Sequence, residues 1–340
     1  MHIDVLGIDL AKRVFQLHGA ARGGAVMHRS KVSRPGLLQA ILGLQPRLVV
    51  MEACASAHHW GRQLRANGIE VKLISPQFVA PFVKTNKNDR NDAEGIVEAA
   101  SRPTMRFVAV KSIEQQDIQA LHRVRQLYVH QRTAVINHVR GILAERGVVV
   151  AKSPAAFHCA MPAVLAASDG EISEVCRNLL VESLEHLEII EQRIERADAH
   201  VKQLMSSSEL CRKIGAIDGV GPLTATAVVA AVGDTRDFKN GRHLAAWLGL
   251  VPRQHSSGGR SRLSGISKRG DAYLRTLLIH GARSVLRWLG DKADPQSRWL
   301  RDLIERRGFN RAAVALANRN ARVIQALLSS EKTYRRPVAA

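Results

Sequence analysis

Apolar positions along the first hundred residues fall into short runs and alternations of the kind that build strands, separated by stretches with helical spacing. Ile3 to Asp9 is a short apolar segment ending in Gly-Ile-Asp. Val14 to Gly19 and Ala25 to Val32 alternate like two further strands, so three strands in succession form a meander. A helical stretch follows from Gly36 to Leu44, then the apolar run Leu48 to Met51 stopping at Glu52, a helix over Trp60 to Ala66 and a strand from Val71 to Ile74. After Ser75-Pro76 the segment to Asn88 lacks a clear period, and a helix begins near Asp89 and runs through Ala100, with Pro103 marking its end.

Strand, strand, strand, helix, strand, helix, strand, helix is the order of the ribonuclease-H-like α/β fold. The remainder reads as all-α. Ile113 to about Arg146 carries Leu, Val and Ile at helical spacing with no Pro or Gly before Gly141, which predicts one long helix. Gly147 to Ala167, with Pro154 and Pro162, reads as a helix-to-helix connection. A second long amphipathic helix spans Ile172 to Met205, with Leu180, Leu184, Leu187, Ile190 and Ile194 on one stripe. Two such helices suit an antiparallel hairpin or a dimer seam of coiled-coil type. Ser206-Ser207-Ser208 reads as a hinge or helix N-cap, and the chain beyond is mainly helical with glycine-rich turns. Three parts result: 1–105, 106–205 and 206–340.

Charge narrows the partner. Fifty Lys+Arg against 30 Asp+Glu leave a formal net charge of +20 over 340 residues, which suits a polyanion, nucleic acid first. No apolar run approaches the ~20 residues of a spanning helix and no basic-then-apolar leader opens the chain, so a soluble, cytoplasmic protein is expected with no membrane partner. Cys54, Cys159, Cys176 and Cys211 lack the paired spacing of structural zinc or a redox dithiol. Aromatic residues make up only 4%, so contacts to a charged backbone should outweigh base stacking.

Four acids draw attention. Asp9 ends the first strand, Glu52 ends the fourth, and Asp89 and Asp92 stand one helical turn apart in Asn-Asp-Arg-Asn-Asp-Ala. If the first and fourth strands are neighbours, Asp9 and Glu52 lie side by side, and a helix packed on the sheet completes a four-carboxylate cluster. Singly, Asp9 serves as a turn residue, Glu52 as a salt-bridge partner and Asp89 as an N-cap. Gathered together they are electrostatically costly unless hard divalent cations neutralise them, magnesium above all. Two such ions about 3.5–4 Å apart clamp the attacking and leaving oxygens of a phosphoryl displacement.

In the last part, Ile217-Asp218-Gly219-Val220-Gly221-Pro222 before the helical Leu223 to Val232 resembles a helix-hairpin-helix element. Gly219 and Gly221 there let backbone N–H groups approach a phosphate; a plain helix-helix turn is the alternative. Arg253-Gln254-His255-Ser256-Ser257-Gly258-Gly259-Arg260 and Ser267-Lys268-Arg269-Gly270 are basic, flexible and hydroxyl-rich. By residue type alone these are phosphate-binding loops or linkers, with Arg253, Arg260, Lys268 and Arg269 as nucleic-acid contacts.

With Gly7-Ile8-Asp9-Leu10-Ala11-Lys12, Met51-Glu52-Ala53-Cys54, Lys87-Asn88-Asp89-Arg90-Asn91-Asp92-Ala93 and the C-terminal motifs in this order, the chain resembles, over nearly its whole length, a known family. It is that of the DEDD transposases of bacterial insertion sequences, the insertion sequence one-ten family, whose better-studied members are bridge-RNA-guided recombinases. The resemblance implies a RuvC-like N-terminal domain, a helical coiled-coil middle and a C-terminal transposase domain that supplies a serine nucleophile. Asp9, Glu52, Asp89 and Asp92 then take the metal-binding roles, for two Mg2+ ions that Mn2+ can replace. The family's serine precedes a glycine, which points to Ser257, with Ser256 the alternative register. Cys54 and Asn88 stand where many members have Thr. The implied reaction is cleavage and rejoining of donor and target DNA through a phosphoserine ester, in dimers or tetramers that also hold a guide RNA, on the bacterial nucleoid. Two other readings stay open: a RuvC-like structure-selective nuclease using water, and a non-catalytic nucleic-acid-binding scaffold.

Overall fold

Six strands form one mixed sheet in the order β3-β2-β1-β4-β5-β6 in a computed structural model that describes residues 2–83, 89–167, 172–233 and 237–335. The chain divides into two units, Met1–Ile113 and Glu114–Ala340.

In the first unit β1 (Val5–Asp9), β2 (Val14–Ala20) and β3 (Val26–Ser33) make the antiparallel meander, while β4 (Leu48–Glu52) and β5 (Glu70–Ile74) lie parallel to β1 on its other side. A two-residue β6 (Phe107–Val108), which no periodicity in the sequence announces, closes the edge antiparallel to β5. Helices α1 (Leu37–Leu44) and α2 (Ala57–Ala66) carry the chain between β3, β4 and β5. A short helix α3 (Pro76–Val79) precedes α4 (Asp89–Ala100).

β4 is apolar on both faces because both are covered, the usual state of a central parallel strand. Its alternate residues enter different cores. Val49 and Met51 pack with Leu6 and Ile8 of β1 against Leu37, Ile41, Trp60 and Leu64 of α1 and α2. Leu48 and Val50 pack against Ile96 and Ala99 of α4. The sheet therefore has α1 and α2 on one side and α4 on the other, a three-layer arrangement. The closest approach is at Gly7, where an added Cβ would stand 2.6 Å from Val97 Cγ2 and 2.7 Å from the Ala93 carbonyl oxygen.

The second unit opens with α5 (Ile113–Ala144), α6 (Pro154–Ala166) and α7 (Glu174–Ser207). The expected bare connection at 147–167 holds a helix instead. Ser153 caps α6 by accepting from the Ala156 N–H, Pro154 occupies the first turn, where its missing N–H costs nothing, and Phe157 and Met161 are buried. They pack with Ile136, Val139 and Leu143 of α5 and Leu180 and Leu187 of α7, so the two long helices form an antiparallel hairpin within one chain. A two-pronged ion pair, Arg125 Nε to Asp198 Oδ1 at 2.5 Å and Nη2 to Oδ2 at 3.2 Å, ties them further along.

Ser208 caps α8 (Glu209–Gly215), satisfying the N-cap expectation for the serine run. Then come α9 (Pro222–Val232), α10 (Gly241–Trp247), a hairpin of β7 (Pro252–Ser257) and β8 (Arg260–Ile266), and α11 (Ala272–Arg287), α12 (Pro295–Arg307) and α13 (Phe309–Leu328). One large apolar cluster, including Ile214, Val228, Leu244, Leu278 and Leu316, holds these helices together.

His122 of α5 is 3% exposed and is a polar cross-brace of this unit. Thr226 Oγ1 donates to the Pro222 carbonyl at 2.7 Å, so it accepts from His122 Nε2–H at 2.9 Å, which leaves Nδ1 to accept from Tyr273 Oη at 2.9 Å. Burial, then the nearby Arg125 charge, lowers the imidazole pKa to about 4. Because the unfolded histidine titrates near 6.5, the stabilisation is complete above that value and fades as pH falls from about 6.5 toward 4. Urea unfolding followed from pH 7 to 4.5 should lose on the order of 1 kcal/mol per pH unit through this group. His122→Gln should flatten that slope, and an unaltered slope in the variant would remove His122 from the account.

Candidate active site

Strand alternation decides what faces what at the carboxylate end of the sheet. Leu6 and Ile8 point toward α1 and α2, so Gly7 and Asp9 point toward α4; by the same alternation Glu52 shares the α4 side with Val50. β1 and β4 run parallel with Ile8 beside Met51, which sets the next residues, Asp9 and Glu52, side by side at the two strand ends. Both are half-buried. Asp92 is half-buried on α4, adjacent to Ala93, whose carbonyl lies over Gly7 two residues before Asp9. Asp89 begins α4, and its side chain lies outside the described residues.

Cys54 reports how close the two strand-end acids come. Burial first, and then the negative charges of Glu52 and of Asp9, push its thiol up. The donors that Asp9, Glu52 and Asp92 would offer a cation are hard carboxylate oxygens. Among the described residues, no group of three or more His, Cys, Asp or Glu side chains is gathered tightly enough to hold a metal ion.

In the second unit, Ser257 does not lie on a flexible loop, as the residue types suggested. Gly258 (φ 54°) and Gly259 (φ 76°) form a two-residue turn of the kind that matches strand twist, and β7 and β8 pair antiparallel beneath it. The register sets Ser257 opposite Arg260, Ser256 opposite Ser261 and His255 opposite Arg262. Alternation then gives the ribbon two unlike faces. One carries Gln254, Ser256 and Ser261, where Gln254 Nε2 donates to Ser256 Oγ at 2.8 Å and to Ser261 Oγ at 3.4 Å. The other carries His255, Ser257, Arg260 and Arg262, all exposed, and no hydrogen bond or ion pair among the described residues engages those side chains. His255 and Arg262 escaped sequence reasoning; reading Gly-Gly as a hairpin turn would have placed them.

The base of the ribbon is held firmly. Ser267 N–H donates to the Val251 carbonyl, and Arg275 Nη1 donates to the carbonyls of Leu248 and Arg269, each at 3.1 Å. Lys268 adopts φ 55°, a left-handed conformation uncommon outside glycine, and with Arg269 stays exposed. Arg253 is exposed on β7. Between α8 and α9 the glycine motif forms a tight turn, with Gly219 at φ 85° and Gly221 open as the N-cap residue of α9. A cavity of about 670 Å³ beside it is lined in part by Lys202, Gly219, Gly221, Thr224 and His280.

Two family models match: one described as Transposase, DEDD type of IS110, over residues 6–146, and one described as Transposase IS116/IS110/IS902 family over residues 211–299. The chain is 49% identical to a "Probable family 20 transposase" of Pseudomonas aeruginosa, across 98% of this chain and 99% of that protein. It is 48% identical to the "Transposase for insertion sequence element IS1111A" of Coxiella burnetii, across 98% and 92%. It is 37% identical to the "Transposase for insertion sequence element IS1328" of Yersinia enterocolitica, across 95% and 96%. Among the described residues no helix is long and apolar enough to cross a membrane. This chain, with both models matched in order and relatives aligned along nearly their whole length, belongs to the IS110/IS116/IS902 family of DEDD transposases.

Proposed function

We propose that this transposase cuts and rejoins DNA with Asp9, Glu52, Asp89 and Asp92 as ligands of divalent magnesium and Ser257 as the nucleophile. The observation that carries the reading is the pairing of Asp9 with Glu52 at adjacent strand ends, on the sheet face that α4 covers. The strand order β3-β2-β1-β4-β5 with a parallel centre supports a ribonuclease-H-like, RuvC-type first unit. The carboxylate oxygens suit a hard cation. When bound, such ions supply Lewis-acid stabilisation of charge on the phosphoryl oxygens. The chain's own residues do the rest: the carboxylates fix the cations, and Ser257 attacks.

The choice of Ser257 over Ser256 rests on the two faces of the hairpin. Ser256 Oγ is occupied by Gln254, whereas Ser257 stands beside Arg260 on the cationic face. Attack would conserve the phosphodiester energy as a phosphoserine ester until rejoining. Arg253, Arg260, Lys268 and Arg269, together with the Gly219 and Gly221 turn, serve as backbone contacts, in line with the net charge of +20. Donor and target DNA, a bridge RNA that selects sequence by pairing, and dimeric or tetrameric assembly complete the reading, with 1–105, 106–205 and 206–340 as its functional parts.

Incubation with magnesium and end-labelled donor DNA, followed by denaturing electrophoresis, tests it. Wild-type protein and Ser256→Ala should give a protein–DNA adduct that survives denaturation, and Ser257→Ala should give none. An adduct persisting in Ser257→Ala defeats the assignment, and cleavage without any adduct selects a water-using nuclease.

A further inference from the structure

A serine hydroxyl that attacks phosphorus must lose its proton, and the hairpin determines which neighbours could take it. Three side chains flank Ser257 on its face of the ribbon: Arg260 directly opposite, His255 two residues back on the same strand, and Arg262 opposite His255. A guanidinium stays charged throughout the working pH range and has no acceptor lone pair, so neither arginine can receive a proton. No Asp or Glu occurs anywhere between Asp237 and Asp271, which leaves no carboxylate on the hairpin or its base. Same-face residues on one strand lie about 6.5–7 Å apart, a gap that the length of an imidazole largely spans.

We propose that His255 is the general base for Ser257 and that Arg260 and Arg262 clamp the non-bridging oxygens of the scissile phosphate. The inference rests on Ser257 being the nucleophile. In the step, Ser257 Oγ–H gives its proton to the neutral His255 ring as the Oγ–P bond forms. The P–O bond to the departing deoxyribose oxygen breaks, and that oxygen takes a proton from solvent. Rejoining runs the same sequence backward, with protonated His255 returning its proton to Ser257 Oγ. On the opposite face Gln254 Nε2 donates to both Ser256 Oγ and Ser261 Oγ, while the four groups of this face keep their bonding capacity for a ligand. Arg260 and Arg262 follow one another on the same face of β8, about 6.5–7 Å apart, each directly across from Ser257 or His255, so their guanidinium groups form a cationic row beside the nucleophile, suited to phosphate contact.

His255 is exposed, so its replacement leaves the fold intact. The test follows adduct formation in a single turnover with wild type, Ser257→Ala and His255→Ala, with DNA affinity measured alongside. His255→Ala should keep its affinity for DNA, slow the adduct step by about 100-fold or more, and recover when free imidazole is added. Arg262→Gln should also slow the step but gain nothing from imidazole. Wild-type speed in His255→Ala, or a loss that imidazole fails to relieve, overturns the proposal while a silent Ser257→Ala leaves the nucleophile assignment standing. An adduct in Ser257→Ala overturns that assignment itself, whatever His255 does.

Discussion

Asp9→Asn is expected to lower the single-turnover rate of DNA cleavage by about 1,000-fold or more while changing DNA affinity by less than about threefold. The substitution keeps the size of the side chain and removes one negative charge at the end of β1. Its neighbour across the parallel pair is Glu52, and the helix that carries Asp92 lies over the same face. A cation held by oxygen ligands loses a charged one, and the remaining acids no longer hold it where the phosphate reacts. Glu52→Gln should have an effect of the same order, and the double variant should be little worse than either single one, because residues that act as a unit are strongly non-additive. Binding should survive because it draws on arginines and lysines throughout a chain of net charge +20. Cleavage assays in magnesium beside mobility shifts with the same DNA measure both quantities. Wild-type cleavage by Asp9→Asn would take the carboxylates out of the chemistry, whereas binding with no cleavage by the wild-type protein itself would favour a scaffold that binds without cutting.

The two acids were legible because each ends an apolar run. β1 and β4 are buried strands, so their hydrophobic stretches stop where the sheet edge begins, at Asp9 and at Glu52. α4 was legible down to its first and last residues, and the long α5 and α7 needed only their uninterrupted period. Helix α6 was hidden by its prolines, one of which sits in the helix's first turn, where it starts the helix instead of breaking it. The serine hairpin was hidden for the opposite reason. Neither of its strands buries a face, Leu263 is 63% exposed, and a strand without a core leaves no apolar alternation to read. Its only signal was Gly-Gly, which demands positive φ at both central turn positions and excludes the bulkier residues. The packing of α4 on the sheet was expected from the i, i+3 spacing of Asp89 and Asp92, but its close approach was not legible as pattern, since it depends on the missing side chain of Gly7.

Glycine also supports the second large effect. Gly281 lies within α11, and helix propensity alone says that alanine there should stabilise the helix by about 0.5–1 kcal/mol. The structure reverses the sign. A Cβ on Gly281 would stand 1.8 Å from the Gly219 carbonyl oxygen and 2.9 Å from its carbonyl carbon, two backbone atoms that cannot rotate away. Gly219 cannot yield either, because its own φ is 85° and a Cβ there would meet the Gly281 oxygen at 2.8 Å. α11 must therefore back away from the turn between α8 and α9, opening the core where Ile217, Val220, Leu278 and Ala282 are buried. Gly281→Ala should destabilise the second unit by about 3–5 kcal/mol in urea unfolding. Gly141→Ala is the matched control: also within a helix, it has nothing within 4 Å of the added methyl, so it should stabilise by about 0.5–1 kcal/mol. Equal stability of the two variants would mean that α11 and the glycine turn do not touch. The expected split, joined by weakened DNA binding in Gly281→Ala alone, would show that the packing of one helix positions the turn proposed to grip phosphate.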